Sequence, residues 1–212
     1  MSTSIYIVRH GQSQGNVAEK SKTPVNWGRW GKFEAPLTTL GKRQAKAIAL
    51  KLQDVTFDAI FSSDLNRARE TAEIISKKSG VAVQTESTIR ERNFGKYLFG
   101  LSSDERKKVR IAVEELNEED RWIHKYSVDG ESIKEAIERF TAFLKKIIPL
   151  YKGKTILVVN HGNIMRMFLV HLRWAKFSEL PAGAIANTGY FVLETDGKTF
   201  HIKDTHGVNK KI

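Results

Sequence analysis

Short apolar runs alternate with segments of helical period along this chain. Residues 5–8, 59–61 and 155–159 are runs rich in β-branched and aliphatic side chains, and each ends in a polar turn. That pattern suits short strands buried on both faces. Residues 81–85 read as a weaker strand. Between the runs, apolar residues recur every three or four positions. Thr38 or Thr39 caps one predicted helix, with Leu40, Ala45, Ile48, Ala49 and Leu52 on its inner face. Asp64 or Asn66 caps a second, which runs through Ala68, Thr71, Ala72 and Ile75 to a stop at Gly80. Ser132 opens a third, with Ile133, Ile137, Phe140, Phe143, Leu144 and Ile147 on one stripe and Pro149 at its end. Residues 190–194 and 199–203, joined through Asp196-Gly197, read as an antiparallel hairpin.

Strands alternating with helices predict an α/β fold. Its expected form is a three-layer α/β/α domain over residues 1–212, with a mostly parallel sheet of about six strands and one antiparallel edge. Residues 20–36, rich in tryptophan, glycine and proline, read as a long loop. Residues 101–126 are charged and helical, and read as a small cap-like helical insertion over the sheet.

Composition narrows the chemistry. The 212 residues carry 35 Lys plus Arg against 24 Asp plus Glu, a formal charge of +11, which favours an anionic partner. Cysteine is absent, so cysteine-based phosphatase and redox chemistry and Cys-ligated metals are excluded. No run is long enough for a membrane span, and the start has no signal-peptide pattern. A cytoplasmic protein is expected. Aromatic and cationic residues interleave over residues 26–33, as in base-stacking platforms, but the tryptophans read better as loop anchors at a pocket rim. Neither nucleic acid nor a membrane is expected as a partner; a small phosphorylated metabolite is. A homodimer paired through an edge strand is compatible with the pattern.

Open α/β sheets bind ligands beyond the carboxyl ends of their strands. Three predicted strands end in Arg9-His10-Gly11, with Asn16 following, in Ser62-Ser63-Asp64 leading to Arg67, and in Asn160-His161-Gly162. Two guanidiniums would offer donor forks to phosphate oxygens. Gly11 and Gly162, without a Cβ, would let backbone N–H groups approach an anion. One imidazole can attack phosphorus while the other stabilises the charge that builds up. Such a pocket needs no metal. The acid for the leaving oxygen would be Glu86 or Glu91.

These residues resemble the histidine phosphatase superfamily, also called phosphoglycerate mutase-like. The likeness is carried by Arg9-His10-Gly11, by Leu37-Thr38-Thr39-Leu40-Gly41-Lys42-Arg43-Gln44-Ala45 and by Ser63-Asp64-Leu65-Asn66-Arg67-Ala68-Arg69-Glu70-Thr71-Ala72. Arg90-Glu91, Gly130-Glu131-Ser132 and Val159-Asn160-His161-Gly162 extend it. The resemblance implies that His10 is the nucleophile that becomes phosphohistidine. It implies that Arg9, Arg67 and His161 clamp the phosphate, that Asn16 and the Gly162 amide support them, and that Glu91 is proton donor and then base. It also implies metal-independent catalysis. Two departures stand out. Gly95-Lys96-Tyr97-Leu98-Phe99-Gly100 replaces the family's Gly-x-Trp-Glu-Gly, and Asn160 stands where a small residue usually precedes the second histidine.

The expected function is a phosphomonoester hydrolase of the phosphatase branch. The first alternative is a phosphoglycerate mutase, the one case that needs a 2,3-bisphosphoglycerate primer. The second is a non-catalytic member that binds a phosphorylated ligand or RNA.

Overall fold

The computed structural model describes residues 2–19, 35–95 and 101–211. The long loop expected over 20–36 therefore lies, apart from Ala35 and Pro36, outside the described residues, as do its tryptophans and residues 96–100.

Six strands form one sheet in the order β3-β2-β4-β1-β5-β6. They are β1 (Thr3–Arg9), β2 (Ala59–Ser63), β3 (Val83–Glu86), β4 (Thr155–Asn160), β5 (Ile185–Thr195) and β6 (Phe200–Val208). β3, β2, β4 and β1 are mutually parallel, while β5 runs against β1 and pairs antiparallel with β6. The single reversed strand is thus second from the edge, and β6 is the edge itself. The helices are α1 (Gln14–Glu19), α2 (Thr39–Lys51), α3 (Asn66–Ser79), α4 (Ser103–Glu114), α5 (Glu118–Ile123), α6 (Ile133–Ile147) and α7 (Gly162–His171).

Strand alternation divides the core in two. Ile5, Ile7, Ile156, Val158 and Phe61 face the α6 and α7 layer. Val8, Leu157, Val159 and Ile60 face the α2 and α3 layer. All four of the last group are fully covered, which is why β1 and β4 are apolar on consecutive positions rather than alternating. α6 supplies the largest stripe, with seven buried residues from Ile133 to Ile147. Its start is fixed by a capping box in which Ser132 accepts from the Glu135 N–H and the Glu135 side chain accepts from Ser132.

Three local expectations change. The N-cap of α3 is Leu65, not Asp64 or Asn66, because the Asp64 carboxylate is taken up by Arg90. Leu40, expected on the inner face of α2, is exposed. The hairpin strands extend well past 190–194 and 199–203, and β5 carries a register shift between Ile185 and Tyr190 with Thr188 at φ 59. The polar stretch Ala186-Asn187-Thr188-Gly189 breaks the apolar alternation, so the sequence did not mark it as strand. Among the described residues, no helix is long and apolar enough to cross a membrane.

Candidate active site

Parallel pairing of β1 with β4 sets Arg9 opposite Asn160, so the next residue of each strand, His10 and His161, emerges side by side. Their ring centroids are 5.2 Å apart, and both side chains are buried. The loop carrying His10 is held by α2. The Gln12 N–H donates to Gln44 Oε1 at 2.8 Å, the Thr38 N–H donates to the Gln12 carbonyl at 2.9 Å, and Thr38 Oγ1 donates to Gln12 Oε1 at 2.9 Å. A Cβ on Gly41 would lie 2.0 Å from the Gln12 carbonyl oxygen, so only glycine lets the helix approach this closely. The Leu-Thr…Gly…Gln-Ala motif is therefore a clamp on the loop that carries His10.

Residues of α3 reach the same point. Arg67 Nε donates to His10 Nε2 at 3.2 Å. The opposite ring nitrogen, Nδ1, is 2.7 Å from the Gly11 carbonyl. Carbonyls only accept, so Nδ1 carries the proton and Nε2 presents its lone pair toward Arg67; the two contacts agree on one tautomer. Burial, then the Arg67 and Arg9 guanidiniums, hold His10 well below the usual histidine range. The ring is neutral at physiological pH.

Gly11 is placed differently from the expectation. Its N–H donates to Thr71 Oγ1 at 3.1 Å, and a Cβ there would meet the Gly41 carbonyl oxygen at 2.5 Å. The amide is used within the protein, and the glycine is needed for close packing rather than to open a donor to an anion. Gly162 does border the cavity, and a Cβ on it would lie 3.0 Å from Arg9 Nε, so the missing side chain makes room for that guanidinium. Arg9 is anchored by Nη1, which donates to the Ile185 carbonyl at 2.5 Å.

His161 has no hydrogen-bond partner at either ring nitrogen among the described residues. Burial, followed by Arg67, His10, Arg9 and Arg139, lowers its pKa strongly. Asn160 holds the turn that carries it, since its Oδ1 accepts from the His161 N–H at 2.6 Å. This is what the asparagine at the departure position does. Its Nδ2 is buried with no hydrogen-bond partner among the described residues.

The two candidate acids separate cleanly. Glu86 sits at the end of β3, where its carboxylate accepts from Lys146 at 3.3 Å and Thr88 at 3.2 Å, and it does not border the cavity. Glu91 does border it, facing the first turn of α7. Its oxygens accept from the Asn163 N–H at 3.1 Å, the Ile164 N–H at 3.2 Å, the Arg92 N–H at 2.9 Å and Asn163 Nδ2 at 3.3 Å. The residue at the N-cap of α7, His161, makes no side-chain cap, and Glu91 fills that role from outside the helix.

The loop that delivers Glu91 is pinned on both sides. Arg90 forms a two-pronged pair with Asp64 at 2.7 and 2.6 Å. Glu131, from the Gly-Glu-Ser block, pairs with Arg139 at 2.8 and 2.9 Å and accepts from the Asn93 N–H at 2.8 Å. Arg92 donates to the carbonyls of Glu131 and His124 and lies over the rings of Phe94 and Tyr126.

Asn16 accepts from the Ser13 N–H at 3.1 Å and from Asn187 Nδ2 at 3.3 Å; Asn187 also donates to the His10 carbonyl at 3.1 Å. The sequence assigns no role at the site to Asn187, Thr71 or Asn163, and places Thr71 only on the inner face of α3. Asn163 directly follows His161-Gly162, a usable signal, whereas Asn187 lies in the irregular part of β5 and has none. A cavity of about 960 Å³ at this edge has Arg9, His10, Asn16, Arg67, Glu91 and Gly162 in its wall, whereas His161 is fully buried and is not part of that wall.

A sequence profile described as histidine phosphatase superfamily (branch 1) matches residues 5–206. Phosphoglycerate mutase-like protein 4 of Arabidopsis thaliana is 33% identical over 164 residues, 76% of this chain and 67% of that protein. Mycobacterial glucosyl-3-phosphoglycerate phosphatase, 21% identical, superposes with a TM-score of 0.75 over 98% of this chain and 100% of its own. Phosphoglycerate mutase from Bacillus anthracis, also 21% identical, superposes at 0.73 over 96% and 92%. The last two likenesses show the fold; the profile match over nearly the whole length, on a sheet edge where its motifs interlock around His10, makes this chain a member of the histidine phosphatase superfamily, branch 1.

Proposed function

We propose that the protein is a metal-independent phosphomonoester hydrolase that works through a phosphohistidine on His10. The observation that carries this reading is the tautomer of His10. Its Nδ1–H is committed to the Gly11 carbonyl, and its Nε2 lone pair faces the group formed by Arg67, Arg9 and His161. A neutral imidazole fixed in this way is a nucleophile aimed at a place where an anion would be held.

In the proposed cycle a phosphomonoester displaces the Arg67–His10 contact and lies between the two guanidiniums and His161. His10 Nε2 attacks phosphorus and the P–O bond to the alcohol breaks. Glu91 in its protonated form gives the leaving oxygen its proton. The resulting Glu91 carboxylate then takes a proton from water, which attacks the phosphohistidine, breaks the P–N bond and releases inorganic phosphate. Arg9, Arg67, His161 and the Gly162 N–H stabilise the charge on the phosphoryl oxygens in both steps, the next two N–H groups of α7 being taken by Glu91. Asn16 supports them by holding the loop at Ser13. The arm of α4 and α5 closes the far side of the cavity as a cap, and no metal or cofactor enters either step. A small phosphorylated metabolite is the proposed substrate.

The test is phosphate release from p-nitrophenyl phosphate and a panel of phosphorylated metabolites, in EDTA, for the wild type and His10→Ala. Turnover by the wild type with a loss on the order of 10³-fold or more in His10→Ala supports the reading. No turnover by the wild type on any substrate sinks it. A second reading, transfer to another hydroxyl instead of water, draws on the mutase-like name of the Arabidopsis relative. Interconversion of phosphoglycerates that depends on a bisphosphoglycerate primer would establish it in place of the first.

A further inference from the structure

Thr71 sits on the inner face of α3 beside Ala68, Ala72 and Ile75, with no exposed surface. A hydroxyl buried among apolar side chains is costly unless its hydrogen-bonding groups are used. Here both are used, and both partners belong to the site. Thr71 Oγ1 donates to the Arg67 carbonyl at 2.7 Å and accepts from the Gly11 N–H at 3.1 Å.

These two bonds close a circuit. The Gly11 carbonyl lies 2.7 Å from His10 Nδ1, and Arg67 Nε donates to His10 Nε2 at 3.2 Å. The path therefore runs from His10 through Gly11, Thr71 and Arg67 back to His10. Its polarity admits one arrangement. The Arg67 carbonyl can only accept, so the Thr71 hydroxyl proton points to it and an oxygen lone pair is left for the Gly11 N–H. The Gly11 carbonyl can only accept, so the proton of the His10 ring belongs on Nδ1. The reversed tautomer would set a lone pair against that carbonyl and an N–H against the Arg67 N–H, and both contacts would be lost together.

Thr71 does not border the cavity, so it acts on the chemistry only through its two partners. Gly11 packs on one side against α2, where a Cβ would meet the Gly41 carbonyl oxygen at 2.5 Å. On the other side the Thr71 hydroxyl fixes the direction of its N–H. The same hydroxyl holds the first turn of α3, from which Arg67 reaches His10. His161 supplies the contrast within the site. Neither of its ring nitrogens has a hydrogen-bond partner among the described residues, so no described contact selects its tautomer.

We infer that Thr71 is a positioning residue for phosphoryl transfer: its hydroxyl ties Gly11 to Arg67 and so keeps His10 in the Nδ1–H tautomer, with the Nε2 lone pair presented for attack. Valine would fill nearly the same volume, so what the site requires at position 71 is the hydroxyl. This rests on the reading of His10 as nucleophile, and it names the group that prepares it.

The experiment reads tautomer and turnover separately. In protein made with isotope-labelled histidine, the nitrogen chemical shifts of the His10 ring distinguish Nδ1–H from Nε2–H, with His10→Ala assigning the signals and His161 as internal reference. The wild type is expected to show the Nδ1–H form at His10. Thr71→Val is expected to give a mixture of both forms at His10 while His161 is unchanged. It should also lower kcat by about tenfold, with KM moving by less than about threefold. Thr71→Ser, which keeps the hydroxyl, is expected to restore the Nδ1–H form and recover most of the lost kcat. Thr71→Ala removes the hydroxyl without setting a methyl against the Gly11 N–H, and covers a Thr71→Val that fails to fold. An unchanged His10 tautomer in folded Thr71→Val or Thr71→Ala overturns the inference. So does a Thr71→Ser that loses as much kcat as Thr71→Val, or a changed tautomer with unchanged kcat. In each of these cases, turnover that His10→Ala abolishes leaves the hydrolase reading standing. If no substrate turns over, that reading falls and the tautomer alone decides. A mixture in Thr71→Val that Thr71→Ser corrects then supports the circuit, and a single form throughout sinks it.

Discussion

The cradle around His10 and the wall formed by α4, α5 and Arg166 present cations to one cavity, but they are anchored in different ways. The cradle stands on the ends of β1 and β4, strands buried on both faces, and each of its loops is tied down by α2, α3 or the Glu131–Arg139 pair. The arm rests on little core. Among the described residues of α4 only Val113 is buried, and α5 has none. In α6, by contrast, seven residues are buried. The geometry around His10 depends on the sheet, while the shape of the far wall depends on a helical pair with few buried residues.

The sharpest way to break this comparison is through stability. Phe140 is fully buried and packs edge-on against Phe168 at 5.1 Å. Phe140→Ala is expected to cost about 3–5 kcal/mol of unfolding free energy, and Val113→Ala only about 1–2 kcal/mol. Urea titrations followed by circular dichroism would read both. Equal losses would mean that the arm is as much a part of the cooperative core as α6.

Next in size is the contrast between two carboxylates a few residues apart. Glu91→Gln is expected to lower kcat by about 10²–10³-fold, because the proposed proton donor and base is lost, while the amide keeps one of the two oxygens that accept from the start of α7. Glu86→Gln is expected to stay within about twofold, since it breaks only a surface pair with Lys146. Steady-state kinetics on any good substrate decides between them. A large effect at Glu86 would move the acid to the edge of the sheet.

The smallest expected effect is on pH dependence. His10 and His161 are held neutral in the fold, well below the value of 6.5 they recover on unfolding. Below pH 6.5 the unfolded chain therefore binds protons that the folded chain refuses. The histidine contribution is fully present above that pH and is lost as pH falls, by at most about 1.4 kcal/mol per unit for each ring. Urea midpoints at about pH 7.5 and about pH 5.5 should show the decline, and His161→Gln should flatten it. A wild-type midpoint that rises on acidification would mean that these rings are protonated in the fold.

Much of the active site was legible because its contacts are short in sequence or fixed by a strand end. Apolar runs marked β1, β2 and β4, and a polar residue at the end of a buried parallel strand has one place to go, the carboxyl edge of the sheet. Capping at Thr38 and Ser132 was readable for the same local reason. Other residues were misplaced because their partners are remote. Asp64 looked like a helix cap until Arg90, 26 residues on, took its carboxylate. Gly11 looked like an anion donor until Thr71, 60 residues on, accepted its N–H.

By itself, then, the sequence determined the alternation of strands and helices, the level at which His10 and His161 emerge, and the identity of the residues around them. These follow from hydrophobic period, capping and strand termination, which act over a few residues. Long-range packing put Glu91 rather than Glu86 on the cavity, turned Gly11 inward, and brought Arg166 of α7 into the same cavity wall as Arg106 and Arg121. Those outcomes depend on which side chains long-range packing brings within hydrogen-bond reach, and no local pattern encodes that distance.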